Sequence, residues 1–229
     1  VIKLGTSAGK RGAFKCLMSG VPITYDYIRS EGQAGRMRSQ LMAVVAEGAR
    51  GRVYLSPTAE QEEAAKNASP PWRPELALPD NPRDFKTPNY GLTTFGDLFT
   101  ARQLVSLETF SALVGEAIEE VRRDAVQSGL PKDDRSLRDG GIGSVAYAEA
   151  IGVYLACVVD RMAYYGSSLS TWLPKDNALR DCMPRQALAM SWEFAEANPI
   201  GKSSGDISTC VAAVSNYLDV ATPYALAFA

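Results

Sequence analysis

The clearest amphipathic pattern in the chain begins directly after Thr100. Apolar side chains recur there every three or four residues, at Leu104, Leu107, Phe110, Val114, Ile118 and Val121. This spacing places them along one side of a helix. Thr100 and Gln103 have the spacing of a capping box, and Gly129 is a typical residue for a helix end. The pattern therefore predicts a helix over residues 101–127.

The rest of the C-terminal part also has helical periodicity. It predicts further helices over about 144–165, 185–196 and 207–219. Asp206 is a favourable N-cap for the last of them. The apolar run 145–159 contains Glu149 and is shorter than the ~20 residues that a membrane-spanning helix needs. Such a short helix, apolar nearly all round, is typical of the centre of a bundle, and no contact with a membrane is expected.

The first 56 residues have a different pattern, with short apolar runs separated by glycines. The runs 40–46 and 53–55 are joined by five residues that include two glycines, which predicts a β-hairpin. A strand is expected at 14–17 and a single helical turn at 25–29. Thr58 and Gln61 predict the start of a short helix that ends near Asn67.

Six prolines lie between residues 69 and 90, so this segment is expected to be extended and unable to form a central strand. The predicted fold class is α+β. We expect a small basic β-rich module with the hairpin at 1–56, a short helix and proline-rich linker at 57–92, and a mainly α-helical domain at 93–229.

Composition excludes several kinds of catalytic and metal site. The 229 residues include no histidine, so Ser–His–Asp, Cys–His and histidine-ligated metal chemistry are excluded. The four cysteines, at 16, 157, 182 and 210, form no CxxC pair, which favours a reducing compartment and a cytoplasmic location. Glycines 140, 141 and 143 precede a helix, where glycines can cradle phosphate. Because no buried strand precedes them, they more simply close a loop.

Charge is distributed unevenly around a net charge of −2. Residues 1–52 hold nine basic and three acidic side chains, whereas the rest of the chain holds 15 basic and 23 acidic ones. A basic module rich in arginine and tyrosine is typical of a phosphate-contacting surface. The candidate nucleic-acid contacts are Lys10, Arg11, Lys15, Arg29, Arg36, Arg38, Arg50 and Arg52. The alternative is that the two oppositely charged parts simply attract each other.

Four stretches resemble the middle region of large prokaryotic adenine-specific DNA methylases, a family associated with phage defence. They are IRSEGQAGRMRSQLMAVVAEGARGRVYLSPT (28–58), PDNPRDFKTPNYGLTTFGDLFTARQLVSLETFSALV (79–114), YAEAIGVYLACVVDRMAYYGSSLSTW (147–172) and PRQALAMSWEFAEANPI (184–200). The resemblance implies a parent protein that uses S-adenosylmethionine. The family's Gly-rich cofactor loop and Asp-Pro-Pro-Tyr loop do not occur between Val1 and Ala229. Of its zinc-ribbon-like stretch only Cys16 remains, and one thiolate cannot hold zinc.

The resemblance therefore implies a non-catalytic insert between the two catalytic motifs, where target recognition is expected. No catalytic, cofactor or metal residues are assigned within the chain, and S-adenosylmethionine is expected only for the parent. The expected partners are DNA and the missing methyltransferase core, with dimerisation through exposed apolar surface as a further expectation. One alternative is a structural or partner-docking module without nucleic-acid contact. A weaker one is an independent enzyme that uses Glu or Asp in acid–base catalysis.

Overall fold

The computed structural model describes residues 6–8, 14–183 and 186–226, with side chains described as far as residue 221. The chain packs into two compact units. Unit 1 comprises Val1–Glu62, Pro74–Leu98 and Arg185–Met190, and unit 2 comprises Glu63–Arg73, Phe99–Pro184 and Ser191–Ala229. Helices and short antiparallel strand pairs make up the regular structure of the described residues, which confirms the α+β class.

Unit 1 contains two small strand pairs and a helix. The elements are β1 (Phe14–Lys15), β2 (Pro22–Ile23), α1 (Tyr25–Gln33), β3 (Val44–Gly48) and β4 (Gly51–Leu55). β1 pairs with β2 and β3 with β4, both antiparallel. The predicted hairpin is confirmed, but its turn is only two residues long because both strands extend into the glycines. α2 (Ala59–Asn67) follows, and Thr58 and Gln61 exchange the two predicted capping hydrogen bonds.

The core of unit 1 is built where α1 meets the segment around Tyr90. Buried Ile28 and Tyr90 are surrounded by partly buried apolar side chains, among them Phe14, Ile23 and Met190. Two single-turn 3₁₀ helices, Thr87–Tyr90 and Phe95–Leu98, lie in this proline-rich part of the chain. Helix α1 can approach it closely only because glycines stand at the contact.

The predicted helix over 185–196 is wrong. Leu188 instead forms a parallel bridge with Phe85. Its N–H donates to the Asp84 carbonyl at 2.9 Å, and its carbonyl accepts from the Lys86 N–H at 2.9 Å. Farther on, the Ala195 N–H donates to the Ser170 carbonyl at 2.8 Å. Hydrogen bonds to distant segments have replaced the local bonds of a helix, so the apolar periodicity misled.

Unit 2 is a three-helix layer with a small hairpin. Its elements are α3 (Ala101–Gln127), α4 (Ser144–Tyr165), β5 (Thr171–Leu173), β6 (Ala178–Arg180) and α5 (Ile207–Leu226). α4 packs against both α3 and α5, as its apolar sequence predicted. Buried Val158, Met162 and Cys210 form the centre of this packing. Among the described residues, no helix combines the length and apolar character needed to cross a bilayer.

The start of α3 is fixed by the predicted capping box. The Thr100 N–H donates to Gln103 Oε1 at 2.8 Å, and the Gln103 N–H donates to Thr100 Oγ1 at 3.2 Å. The threonine hydroxyl also donates to Glu196 Oε1 at 2.7 Å, and Arg102 forms an ion pair with the same carboxylate at 3.3 Å. Thr100 thus satisfies a free backbone donor of α3 and holds the segment around Glu196.

Replacement of Thr100 by alanine is expected to lower the free energy of unfolding by about 1–2 kcal/mol, since it removes the cap and the hydrogen bond to Glu196. Thr100→Ser keeps the hydroxyl and is expected to retain most of the stability. Urea unfolding followed by circular dichroism measures both. Equal loss in the alanine and serine variants would show that the hydroxyl does not stabilise α3.

Candidate nucleic-acid interface

The β3–β4 hairpin, residues 44–55, forms an arm within unit 1. Its strands pair with Val45 opposite Tyr54, Ala46 opposite Val53 and Glu47 opposite Arg52. In the described part of the chain, no other helix or strand packs extensively against it. Val53, Tyr54 and Leu55 keep 40%, 55% and 50% of their surface exposed. Residues 44–55, here called the hairpin arm, therefore present both faces of a two-stranded ribbon.

The tip of the hairpin arm is a two-residue turn, Ala49 and Arg50. Gly51 follows it with φ +125°, a conformation that other residues rarely adopt. A Cβ on Gly48 would lie 2.7 Å from Val53 Cγ1 and 2.9 Å from the Gly51 carbonyl oxygen. The two glycines thus permit the tight turn, which leaves Arg50 exposed at the tip.

Three of the predicted contact residues have no carboxylate partner. Arg50 and Arg52 lie on the hairpin arm, and Arg38 lies in the irregular segment that leads into it. None of the three forms an ion pair with a described residue. This holds even for Arg52, although Glu47 stands directly opposite on the neighbouring strand. These guanidinium groups retain their capacity to bind an external anion.

Two other predicted contacts are already engaged within unit 1. Arg29 lies 3.2 Å from Asp26 Oδ1, and its guanidinium carbon is 6.0 Å from the centroid of the Tyr90 ring. Arg36 donates two hydrogen bonds of 2.7 Å to the carboxylate of Glu31. These hydrogen bonds lower the pKa of Glu31 and raise the pKa of Arg36. The local acid–base contact proposed as an alternative is therefore real for these two arginines.

The remaining candidates lie at the N-terminal end. Lys15 is exposed on β1, where its backbone N–H donates to the Thr6 carbonyl at 2.9 Å. Lys10 and Arg11 fall outside the described residues. The structure thus separates the predicted set into an unpaired group on and beside the hairpin arm and a paired group at α1. Only the Asp26–Arg29 pair was visible in the sequence, as charges three residues apart on a helix.

The glycines before α4 close a loop. A Cβ on Gly141 would overlap the Arg135 carbonyl oxygen, and one on Gly143 would overlap Pro131 and Asp133. The Asp133 carboxylate accepts hydrogen bonds from the Arg135 side chain and from the Ile142 N–H at 3.2 Å. These bonds hold the pKa of Asp133 well below its usual range, the Arg135 side chain contributing most. A carboxylate of the protein itself takes up these donors.

The described residues offer no ready metal centre. They contain no group of three or more histidine, cysteine, aspartate or glutamate side chains placed to hold a metal ion. Cys16, Cys157, Cys182 and Cys210 are all free. Hydrogen bonds from Ser19 lower the pKa of the Cys16 thiol, whereas burial raises the pKa of Cys182 and of Cys210. The hairpin arm therefore remains the feature with the clearest capacity to bind a ligand.

Comparison with known proteins identifies no relative. No family model, no curated protein and no solved structure matches the chain. The resemblance to adenine-specific DNA methylases accordingly stays a prediction from the sequence, and any functional conclusion depends on the geometry and charge of the hairpin arm.

Proposed function

We propose that this chain is a DNA-contacting, non-catalytic region of a cytoplasmic adenine-specific DNA methyltransferase. Its parent would bind S-adenosylmethionine in another part of the protein and would act in phage defence. The observation that supports DNA contact is the hairpin arm with Arg50 and Arg52 and the adjacent Arg38, none of which is neutralised by a described carboxylate. Parentage is supported only by the sequence resemblance.

The dimensions of the hairpin arm suit duplex DNA. Two antiparallel strands lie ~4.8 Å apart, and the major groove, ~12 Å wide, admits a two-stranded ribbon. An arginine at the tip can reach a guanine edge with two hydrogen bonds or can contact a phosphate. The arginines nearer the base of the arm are suited to phosphates along the groove, which position a protein without reading sequence.

A partner-docking module is the second candidate, and exposed apolar side chains favour it. Val53 and Leu55 lie on one face of the hairpin arm, and Met42 just before it is 84% exposed. Apolar surface of this kind often marks a protein contact. The partner would be the methyltransferase core or a second copy of the chain.

The salt dependence of binding separates the two candidates. If the hairpin arm contacts DNA, the protein binds a mixed-sequence duplex at 50 mM salt, and log K falls with log salt with a slope of about −3, roughly −0.9 for each phosphate neutralised by an arginine. Fluorescence anisotropy with a labelled duplex measures this slope. Absence of binding at low salt would contradict the proposal and favour the docking module.

A further inference from the structure

Unit 2 contains a cavity of about 350 Å³ that the proposed function does not use. It lies between the C-terminal turn of α4 and the loop that precedes α5. Its polar lining consists of Arg161, Lys202, Ser203, Ser204 and Thr209. The volume is at the lower end of the range of ~300–1,000 Å³ that is usual for small-molecule sites.

Two positive charges border this cavity. The guanidinium carbon of Arg161 lies 5.6 Å from the centroid of the Tyr165 ring, so that the ring orients it while its N–H groups remain available. Neither Arg161 nor Lys202 forms an ion pair with a described carboxylate. Both side chains are exposed at the cavity, and both retain donors for an incoming anion.

The nearby carboxylates do not occupy these donors. Asp206 is 1% exposed, and its oxygens accept hydrogen bonds of 2.8 Å from the Thr209 N–H and the Ser208 hydroxyl. Burial raises the pKa of Asp206, but the hydrogen bonds outweigh it and keep the pKa below its usual value. Asp206 therefore serves as the N-cap of α5, so the cavity depends on side chains and not on the free end of that helix. Asp160 precedes Arg161 on α4 and points about 100° away around the helix.

The wall of the cavity requires a close approach of the loop to α4. Gly205 has φ +85°, and a Cβ there would lie 2.8 Å from Tyr165 Cβ and 3.0 Å from Ala197 Cβ. Lys202 has φ +55°, which is uncommon for a residue with a side chain. The loop conformation brings the Lys202 ammonium, from the far side of a long sequence separation, to the same cavity as Arg161.

We propose that this cavity, here called the phosphate cleft, binds a phosphate group. A guanidinium fork binds two phosphate oxygens at once, a lysine adds a compact positive charge, and serine hydroxyls donate to the remaining oxygens. A nucleotide and a nucleic-acid backbone both present this group. The inference is independent of DNA contact by the hairpin arm, which lies in the other unit.

Calorimetric titration of the full chain with sodium pyrophosphate tests the phosphate cleft. The decisive variant is Lys202→Gly, which removes the ammonium and also relieves the left-handed backbone, so that its fold is retained. Saturable binding to the unmodified chain is expected, with at least tenfold weaker binding to Lys202→Gly and to Arg161→Gln. Lys175→Gly removes the same charge from an exposed turn outside the cleft and is expected to change affinity less than twofold.

The competitor then distinguishes the source of the phosphate. Displacement of pyrophosphate by duplex DNA identifies a backbone phosphate as the ligand, and displacement by ATP alone identifies a nucleotide; either result supports the cleft. Absence of saturable pyrophosphate binding would overturn the proposal. Equal weakening in Lys202→Gly and Lys175→Gly would overturn it as well, because general charge attraction would then explain the binding.

Discussion

Replacement of Gly91 by alanine is expected to destabilise unit 1 by about 3 kcal/mol or more. Gly91 has φ +84°, and this left-handed conformation costs ~1–2 kcal/mol for a residue with a Cβ. The added Cβ would also overlap the carbonyl group of Gly32 in α1, which is backbone and cannot move aside as a side chain would. Overpacking of this kind adds ~1–3 kcal/mol.

Gly35 supplies the matched control within the same unit. Its φ is +68°, but a Cβ there would have no other atom within 4 Å. Gly35→Ala is therefore expected to show only the ~1–2 kcal/mol conformational cost. Urea unfolding by circular dichroism, together with hydrogen exchange of the α1 amides, measures both variants. A loss in Gly91→Ala no larger than in Gly35→Ala would contradict the close contact between α1 and the Tyr90 segment.

Local sequence signals predicted most of the regular elements, because their causes are local. The capping pair Thr100 and Gln103 defines the start of α3, and two glycines define the turn of the hairpin arm. The hairpin of β5 and β6 also had a local signal that was not used: Asn177, with φ +48°, follows a proline and an aspartate between two apolar runs. The helix expected over 185–196 failed because distant partners decide that segment's conformation.

The candidate site was less accessible from sequence than the fold. Charge composition indicated the basic module, but it could not show that Glu31 neutralises Arg36 while Arg52 remains unpaired beside Glu47. Which cations stay free depends on side-chain geometry at the end of α1 and across the hairpin. The phosphate cleft was equally hidden, since Arg161 and Lys202 belong to different elements that only the folded chain brings together.

Removal of the three unpaired arginines is the change with the largest expected effect on function. In the variant Arg38→Gln, Arg50→Gln, Arg52→Gln, duplex affinity at low salt is expected to fall about a hundredfold or more, since each charged contact contributes roughly tenfold. The salt slope is expected to shrink by about three. The side chains are exposed or half-buried and lack ion-pair partners, so the fold is expected to be retained.

The matched comparison is Lys132→Gln, Arg138→Gln, Lys175→Gln, which removes the same charge from exposed positions of unit 2. The decisive measurement is the dissociation constant of a labelled duplex for both triple variants and the unmodified chain across a salt series. DNA contact through the hairpin arm predicts a large loss of affinity and slope in the first variant and nearly unchanged binding in the second. Equal behaviour of the two variants would contradict it.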